Sequence, residues 1–461
     1  MQTSTRRTAV SIPDLRGAVR GRVIGPDDDG YDAARTVVVG GIDRHPAVIV
    51  KAGGPDDIAV VVRLARETGT ELAVRSGGHS GAGHGTTEGG ILLDISDMKA
   101  IDIDVAGGTA WAEAGLTAAE FTAAVAAHGL VVGFGDTGSV GIGGITLGGG
   151  VGYLVRKHGL TIDNLIGAEI VTADGELHRV DADDEPDLFW AIRGGGGNFG
   201  VATRFRFRLH ELRGIVGGML VLPATADTVA GFIAAAEAAP EELSTIANVM
   251  PAPPMPFLPP EVHGELVILG MLAWSGDPEK GHEALAPFRA LATPYADMVR
   301  PMTYPEMFPP DDADYHPLAL NRTLFVERID RGVAGTIVET LRAYDSPMRV
   351  AQLRVLGGAM ARVPADATAF AHRASRIMVN VASFYVGPDD KADREAWVEA
   401  FAAALRQGDA GAYVNFLADE DEARVRDAYP NGTWDRLVEI KRRYDPTNLF
   451  RLNQNVPPAT A

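Results

Sequence analysis

The chain has 461 residues, 46% of them apolar and 22% charged, a composition ordinary for globular proteins and a length beyond one hydrophobic core, so two domains are expected. Its net charge of -19 opposes nucleic acid or an anionic membrane, whose phosphates repel it, and favours a small-molecule partner. Without cysteine the chain has no disulfide, no thiolate nucleophile and no cysteine-bound zinc or iron–sulfur site.

Arg6 and Arg7 open the chain, but only Ala9-Val10 separates them from Ser11, Pro13 and Asp14, which is not a signal-peptide pattern. No window reaches the roughly 20 apolar residues of a membrane helix. The expectation is a soluble cytoplasmic protein.

In chain order, the β-branched run Ala47-Val48-Ile49-Val50 predicts a strand. Gly54-Pro55-Asp56-Asp57 then supplies a turn and a helix start, and Ile58, Val61, Val62 and Ala65 carry the helical period up to Gly69. A second strand, Glu71 to Val74, delivers the loop Arg75-Ser76-Gly77-Gly78-His79-Ser80-Gly81. Glycines on both sides of His79 let the backbone approach a ligand with its amides free, as phosphate-cradling turns require. His84 reads as a solvated loop residue. A third strand follows over Gly90 to Ile95.

Alternation through Ile101, Ile103, Val105 and then Ala110, Ala112, Ala114 predicts paired strands about Gly107-Gly108. Thr117 caps a helix to His128, with Glu120 at the capping-box position. The densest glycine stretch runs from Gly133 to Tyr153, and such density fits backbone wrapped around a cofactor better than it fits a helix. Residues 133–138 match G-x-G-x-x-G in form, but glycine continues for a further fourteen residues, so a Rossmann turn is rejected. No P-loop, H-E-x-x-H or G-x-S-x-G motif occurs, and no metal site is expected.

Beyond Leu212 the glycine runs stop. A proline-rich stretch, Pro251 to Pro260, precedes a strand over Glu265 to Ala273 and a helix over Glu279 to Leu291. Trp274, Tyr304, Phe308, Tyr315 and Phe325 are candidates for a pocket lining or for core. At the end, Leu437, Ile440 and Tyr444 keep helical spacing until Asp445-Pro446 stops the helix.

Six ordered segments carry a family resemblance: Arg75 to Ser80, Val140 to Gly152, Leu160 to Leu165, Val171 to Gly175, Asp187 to Gly200, and Tyr444 to Asn455. Together they resemble flavoproteins of the vanillyl-alcohol oxidase superfamily, and within it the berberine-bridge-enzyme-like oxidases, a group with bacterial 6-hydroxy-D-nicotine oxidase and sugar oxidases among its members. The resemblance implies an α+β fold: a PCMH-type FAD-binding domain of two subdomains over residues 1–212, with its core from about 43, and a substrate domain with an antiparallel sheet over 213–425. A berberine-bridge-like segment, 426–461, then returns to the first domain.

The resemblance also assigns roles. His79 is the covalent 8α-histidyl attachment point of FAD, and Arg75, Ser76, Gly77, Gly78, Ser80 and Gly81 surround the pyrophosphate. Thr137, Gly138, Gly141, Gly143, Gly144 and Thr146 in the glycine run, Gly200 and Val201, and the asparagines Asn453 and Asn455 complete the cofactor set. Many relatives make a second flavin bond from a cysteine three residues before the V-G pair; Val140 places Thr137 there, so a single histidyl link is expected. Tyr153 stands where relatives have an aromatic residue near the substrate.

Plant relatives have a catalytic carboxylate ahead of the Gly357-Gly358 pair; here Gln352 to Leu356 offer none. Tyr413-Val414-Asn415 resembles the Y-x-N segment whose tyrosine serves as base in bacterial and sugar-oxidising members. A phenol is a poor base without a nearby cation, so Arg354 is paired with Tyr413 as the expected catalytic couple, and Asn415 orients substrate or flavin. The implied activity is mono-covalent FAD oxidation of a C–O or C–N bond in a small substrate, with dioxygen as acceptor. A flavin-dependent oxygenase of secondary metabolism, favoured by Thr137-Gly138, a dehydrogenase and a non-catalytic FAD-binding protein stay open alternatives. So does the oligomeric state.

Overall fold

The computed structural model describes residues 10–308, 315–346, 348–408, 411–418 and 421–459. Its N-terminal half builds two sheets. In the first, Val48–Lys51, Ile91–Asp94 and Leu72–Arg75 run parallel, and Arg22–Ile24 closes the edge antiparallel to Val48–Lys51. The helix between the outer parallel strands spans Pro55–Thr68 and stops at Gly69, whose φ of +65° is the left-handed end that favours glycine. The second sheet is antiparallel, in the order Ile101–Asp104, Thr109–Glu113, Val201–Arg208, Leu165–Val171, Leu177–Val180. The helix Ala118–Ala126 carries the capping box expected of Thr117 and Glu120.

One departure from expectation lies in the glycine run, where Ile142–Gly148 forms a helix. Glycine's low propensity is offset by burial of Ile142 and Leu147 in the first half's core.

The second half is one antiparallel sheet in the order Ala296–Asp297, Ile215–Pro223, Leu266–Trp274, Leu243–Pro251, Arg349–Val355, Ile377–Phe384, Ala319–Val326, with Arg300–Met302 also on Ile215–Pro223. Strand alternation gives it two unlike faces. Val216, Leu220, Leu272, Ala351, Leu353, Val379 and Val381 pack beneath the helices Ala226–Ala238, Pro278–Arg289, Arg331–Arg342 and Pro388–Leu405. The register sets Asn248 opposite Gln352 and Gln352 opposite Asn380, so these amides share the other face with Arg354 and Asn321.

Two buried guanidinium groups join the halves. Arg156 donates to Ala236 O, Leu243 O and Ala239 O at 2.7, 3.0 and 2.9 Å, covering the carbonyl end of a helix. Arg373 makes a two-pronged pair with Asp163, both arms 2.8 Å. The chain then returns: Ala412, Val414, Leu417 and Val425 already lie in the N-terminal core. The helix Thr433–Tyr444 buries Lys441, which donates to Asp445, Asn198 O and Phe450 O. That cation holds the final loop against the segment Gly196–Asn198.

Candidate active site

Between the glycine loops and the amide-bearing sheet face lies a cavity of about 500 Å³, within the range of cofactor and small-ligand sites. One wall is the loop after Leu72–Arg75. Arg75 and Ser76 line the cavity, and the Arg75 guanidinium is tied to Asp94 at 2.7 Å and to Thr36 O and Ala34 O, so it also anchors the loop. Ser76 is likewise engaged, donating to Ala114 O at 2.7 Å. Beyond them Gly77, Gly78, His79, Ser80 and Gly81 line the cavity, and so does His84, which sequence reasoning left as a solvated residue.

The glycine run forms the second wall. A Cβ at Gly141 would meet Gly77 N at 2.3 Å and one at Gly77 would meet Gly141 N at 2.2 Å, so the two loops touch only because both positions are glycine. Thr137, Gly141, Gly143 and Gly144 line the cavity, and a Cβ at Gly144 would meet no protein atom within 4 Å. Gly138 and Thr146 do not fit their expected place. Gly138 lies against Ala119 and Phe308, and Thr146 turns its Oγ1 inward, buried without a hydrogen-bond partner. The helix period explains the split, because Gly143, Gly144 and Leu147 share its outer side while Ile142 and Thr146 share the inner one.

Gly200, Val201 and Asn453 close the far end. Asn453 donates to Phe450 O and leaves Oδ1 buried with no partner. Asn455 is outside the lining, its Oδ1 also buried and unpartnered. Its neighbour Gln454 lines the cavity instead, fixed by Leu417 O and Ala418 O.

On the substrate side Tyr413 and Asn415 line the cavity together with Asn321, Asn380 and Phe416. The Tyr413 hydroxyl oxygen accepts from Gly150 N at 2.9 Å, Val151 N at 3.3 Å and Asn415 Nδ2 at 2.9 Å. Asn415 Nδ2 also donates to Ile145 O at 3.1 Å, which sets the orientation of the amide. Burial pushes the Tyr413 phenol up, and the three donors with the Arg354 charge only partly offset it. Arg354 does not touch this hydroxyl. Its guanidinium meets Asp136 at 2.6 Å, Gln352 Oε1 at 2.8 and 3.0 Å, and Val151 O at 3.2 Å.

Tyr153 is a buried core residue outside the lining, its phenol raised by burial and by the Asp136 charge. None of the five aromatic candidates lines the cavity: Trp274, Tyr304, Phe308 and Phe325 are core, and Tyr315 is exposed. Asp136, Asn321, Asn380, Phe416 and Gln454 escaped sequence reasoning. Asp136 alone had a signal, as the carboxylate inside the glycine run. Among the described residues no cluster suited to a metal ion occurs, and no helix is long and apolar enough to cross a membrane.

The family model of an FAD binding domain matches residues 46–181, and that described as berberine and berberine like matches residues 412–457. Over 96% of this chain and 97% of its relative, 30% of residues are identical to (R)-6-hydroxynicotine oxidase of Paenarthrobacter nicotinovorans. The chain belongs to the berberine-bridge-like FAD-linked oxidases. Among solved members, 6-hydroxy-D-nicotine oxidase from Arthrobacter nicotinovorans superposes with a TM-score of 0.84 at 26% identity, over 99% of this chain and all of that one. The fold alone is shared with xylooligosaccharide oxidase from Myceliophthora thermophila, with a TM-score of 0.85 at 24% identity over 98% of this chain and all of the other.

As a berberine-bridge-like oxidase the protein is an FAD-dependent oxidoreductase, and the cavity fits that cofactor. Gly81 and Gly144 leave open the space that a Cβ would fill, and Asn453 Oδ1 is an acceptor lacking a protein donor. Flavin and adenine edges carry N–H groups that satisfy such an acceptor.

Proposed function

We propose that His79 alone bonds the FAD of this oxidase and that its substrate is a small alcohol or amine seated between the glycine run and the Asn321–Asn380 side of the sheet. The observation that supports a single bond is the composition of the cavity. His79 and Thr137 both line it, and a threonine hydroxyl forms no thioether where relatives have cysteine.

When bound, FAD supplies the two-electron acceptor for the substrate's C–H hydride, and dioxygen takes those electrons onward as hydrogen peroxide. The chain's own groups orient the reactants. Tyr413, neutral because burial raises its phenol, holds the Gly150-Val151 backbone in place by accepting both amides. Asn321 Nδ2 donates to Asn380 Oδ1 and Phe416 O at 3.1 and 2.7 Å. That leaves the Asn380 amide N–H groups as donors beside the cavity, suited to a substrate hydroxyl or ring nitrogen.

The test is an anaerobic mixing series on the yellow protein. 6-Hydroxynicotine, xylobiose, glucose and a set of aromatic and aliphatic alcohols are scored for loss of flavin colour, then in air for peroxide. At least one compound bleaches the flavin and releases peroxide in proportion. A flavin that bleaches with dithionite but with no compound of the panel contradicts the proposed substrate class.

A further inference from the structure

Asp136 has no part in the roles above, yet it is the only carboxylate among the described residues that line the cavity. It directly precedes Thr137. Its Oδ2 accepts from Arg354 Nη2 at 2.6 Å, and Oδ1 receives no hydrogen bond from a described residue. The Asp136 side chain keeps 26% of its surface exposed against 5% for Arg354, so the carboxylate faces the opening and the guanidinium stands behind it. Gln352 Oε1 and Val151 O hold that guanidinium from two other sides, which leaves the carboxylate one orientation.

We propose that Asp136 is the proton acceptor of the oxidation and that Arg354 is its positioning residue. The inference rests on the FAD-oxidase assignment and adds the base that the sheet lacks: no carboxylate occurs between Gln352 and Leu356, and one arrives from the opposite domain instead, against the same strand. The substrate's O–H or N–H proton passes to Asp136 Oδ1, the bond from that heteroatom to carbon becomes double, and the C–H electron pair leaves as hydride to the bound FAD. The substrate is oxidised by two electrons and the flavin reduced by two.

The neighbouring groups do not compete for that proton. Tyr153, from the glycine run, and Tyr304, from the turn Tyr304–Met307, both face the Asp136 charge and are raised by burial first and by that charge second. Tyr413 is raised by burial as well. All three stay protonated phenols through the neutral range, and Arg354 is the charged group opposite.

The experiment compares wild-type holoenzyme with Asp136→Asn and Asp136→Glu, each first assayed for flavin content. Asparagine retains an acceptor for Arg354, so a fold change is separable from a lost base. Anaerobic bleaching by the compounds named above is timed across pH, and each protein is titrated with sulfite, an anion that bleaches oxidised flavin. For a compound that bleaches the wild type, Asp136→Asn slows bleaching by about a hundredfold or more and abolishes its decline toward low pH, while Asp136→Glu recovers part of the rate. Sulfite bleaches Asp136→Asn at roughly tenfold lower concentration, because a negative charge has left the cavity. Asp136→Asn with the wild-type rate and pH profile overturns the inference. If no compound bleaches the wild type, the sulfite titration decides: identical curves overturn it, and the shifted curve supports it. A colourless wild type contradicts the FAD assignment and takes the inference with it.

Discussion

Arg354 Nη2 and Asp136 Oδ2 lie 2.6 Å apart although 218 positions separate them in the chain, so the substrate-side sheet and the glycine run meet in an ion pair at the cavity. Around it Arg354 stacks over the Phe416 ring at 5.3 Å, and Phe416 meets Tyr413 at 5.1 Å. The glycine run, the sheet and the returning C-terminal segment thereby share one contact cluster.

Replacing Arg354 by leucine removes the cation and leaves Asp136 unpaired. Because Asp136 is partly solvated, the loss falls below that of a fully buried pair, at about 1–3 kcal/mol. Chemical denaturation of the holoenzyme measures it, and stability equal to wild type shows that the pair is dispensable.

Tyr413→Phe strands the amides of Gly150 and Val151 and the Asn415 amide in a buried site. The expected cost is about 2–3 kcal/mol, since buried donors lose their acceptor without gaining water. Flavin reduction slows mainly through displacement of this backbone. The urea midpoint and the anaerobic bleaching rate together check it.

Two glycine substitutions separate folding from cofactor binding. Gly141→Ala forces a Cβ to within 2.1 Å of Ser76 Oγ and 2.3 Å of Gly77 N, so the loops part and both stability and flavin content fall. Gly144→Ala adds a methyl group into open cavity; the apoprotein gains a few tenths of a kcal/mol from helix propensity while FAD content drops. Equal flavin content in Gly144→Ala and wild type counts against this wall as a cofactor surface.

His158 and His210 stack with ring centroids 4.0 Å apart. Burial, with the neighbouring His210 and Lys157, depresses His158 to about 3. The unfolded chain takes up this proton near the ordinary value of about 6.5, while the folded chain refuses it until about 3. Stability linked to His158 is therefore full above about 6.5 and lost progressively as pH falls toward 3. His158→Phe flattens the slope of stability against pH in that window by up to about one proton, read from unfolding midpoints at pH values across it.

Sequence reasoning reached what local motifs encode. The helix Pro55–Thr68 and the capping box at Thr117 follow from neighbours in the chain, whereas His79 and Tyr413, which line the cavity, came from the family resemblance. It missed what depends on how distant strands are ordered. Asn321 and Asn380 carry no local signal, and with Gln352 they come together only when the order Arg349–Val355, Ile377–Phe384, Ala319–Val326 sets their amides on one face. The pairing expected for Arg354 went to Asp136 for the same reason, because a cation's partner is a tertiary property. Thr146 lies outside the cavity lining, unforeseen because glycine density hid a helix, and with it a period that sorts inner from outer positions.

The intact mass of the acid-unfolded protein decides how the flavin is held. Wild type is expected heavier than its polypeptide by one FAD, Thr137→Ala by the same increment, and His79→Ala at the bare polypeptide mass. Wild type at the bare mass, or an increment that survives in His79→Ala, contradicts the single histidyl link.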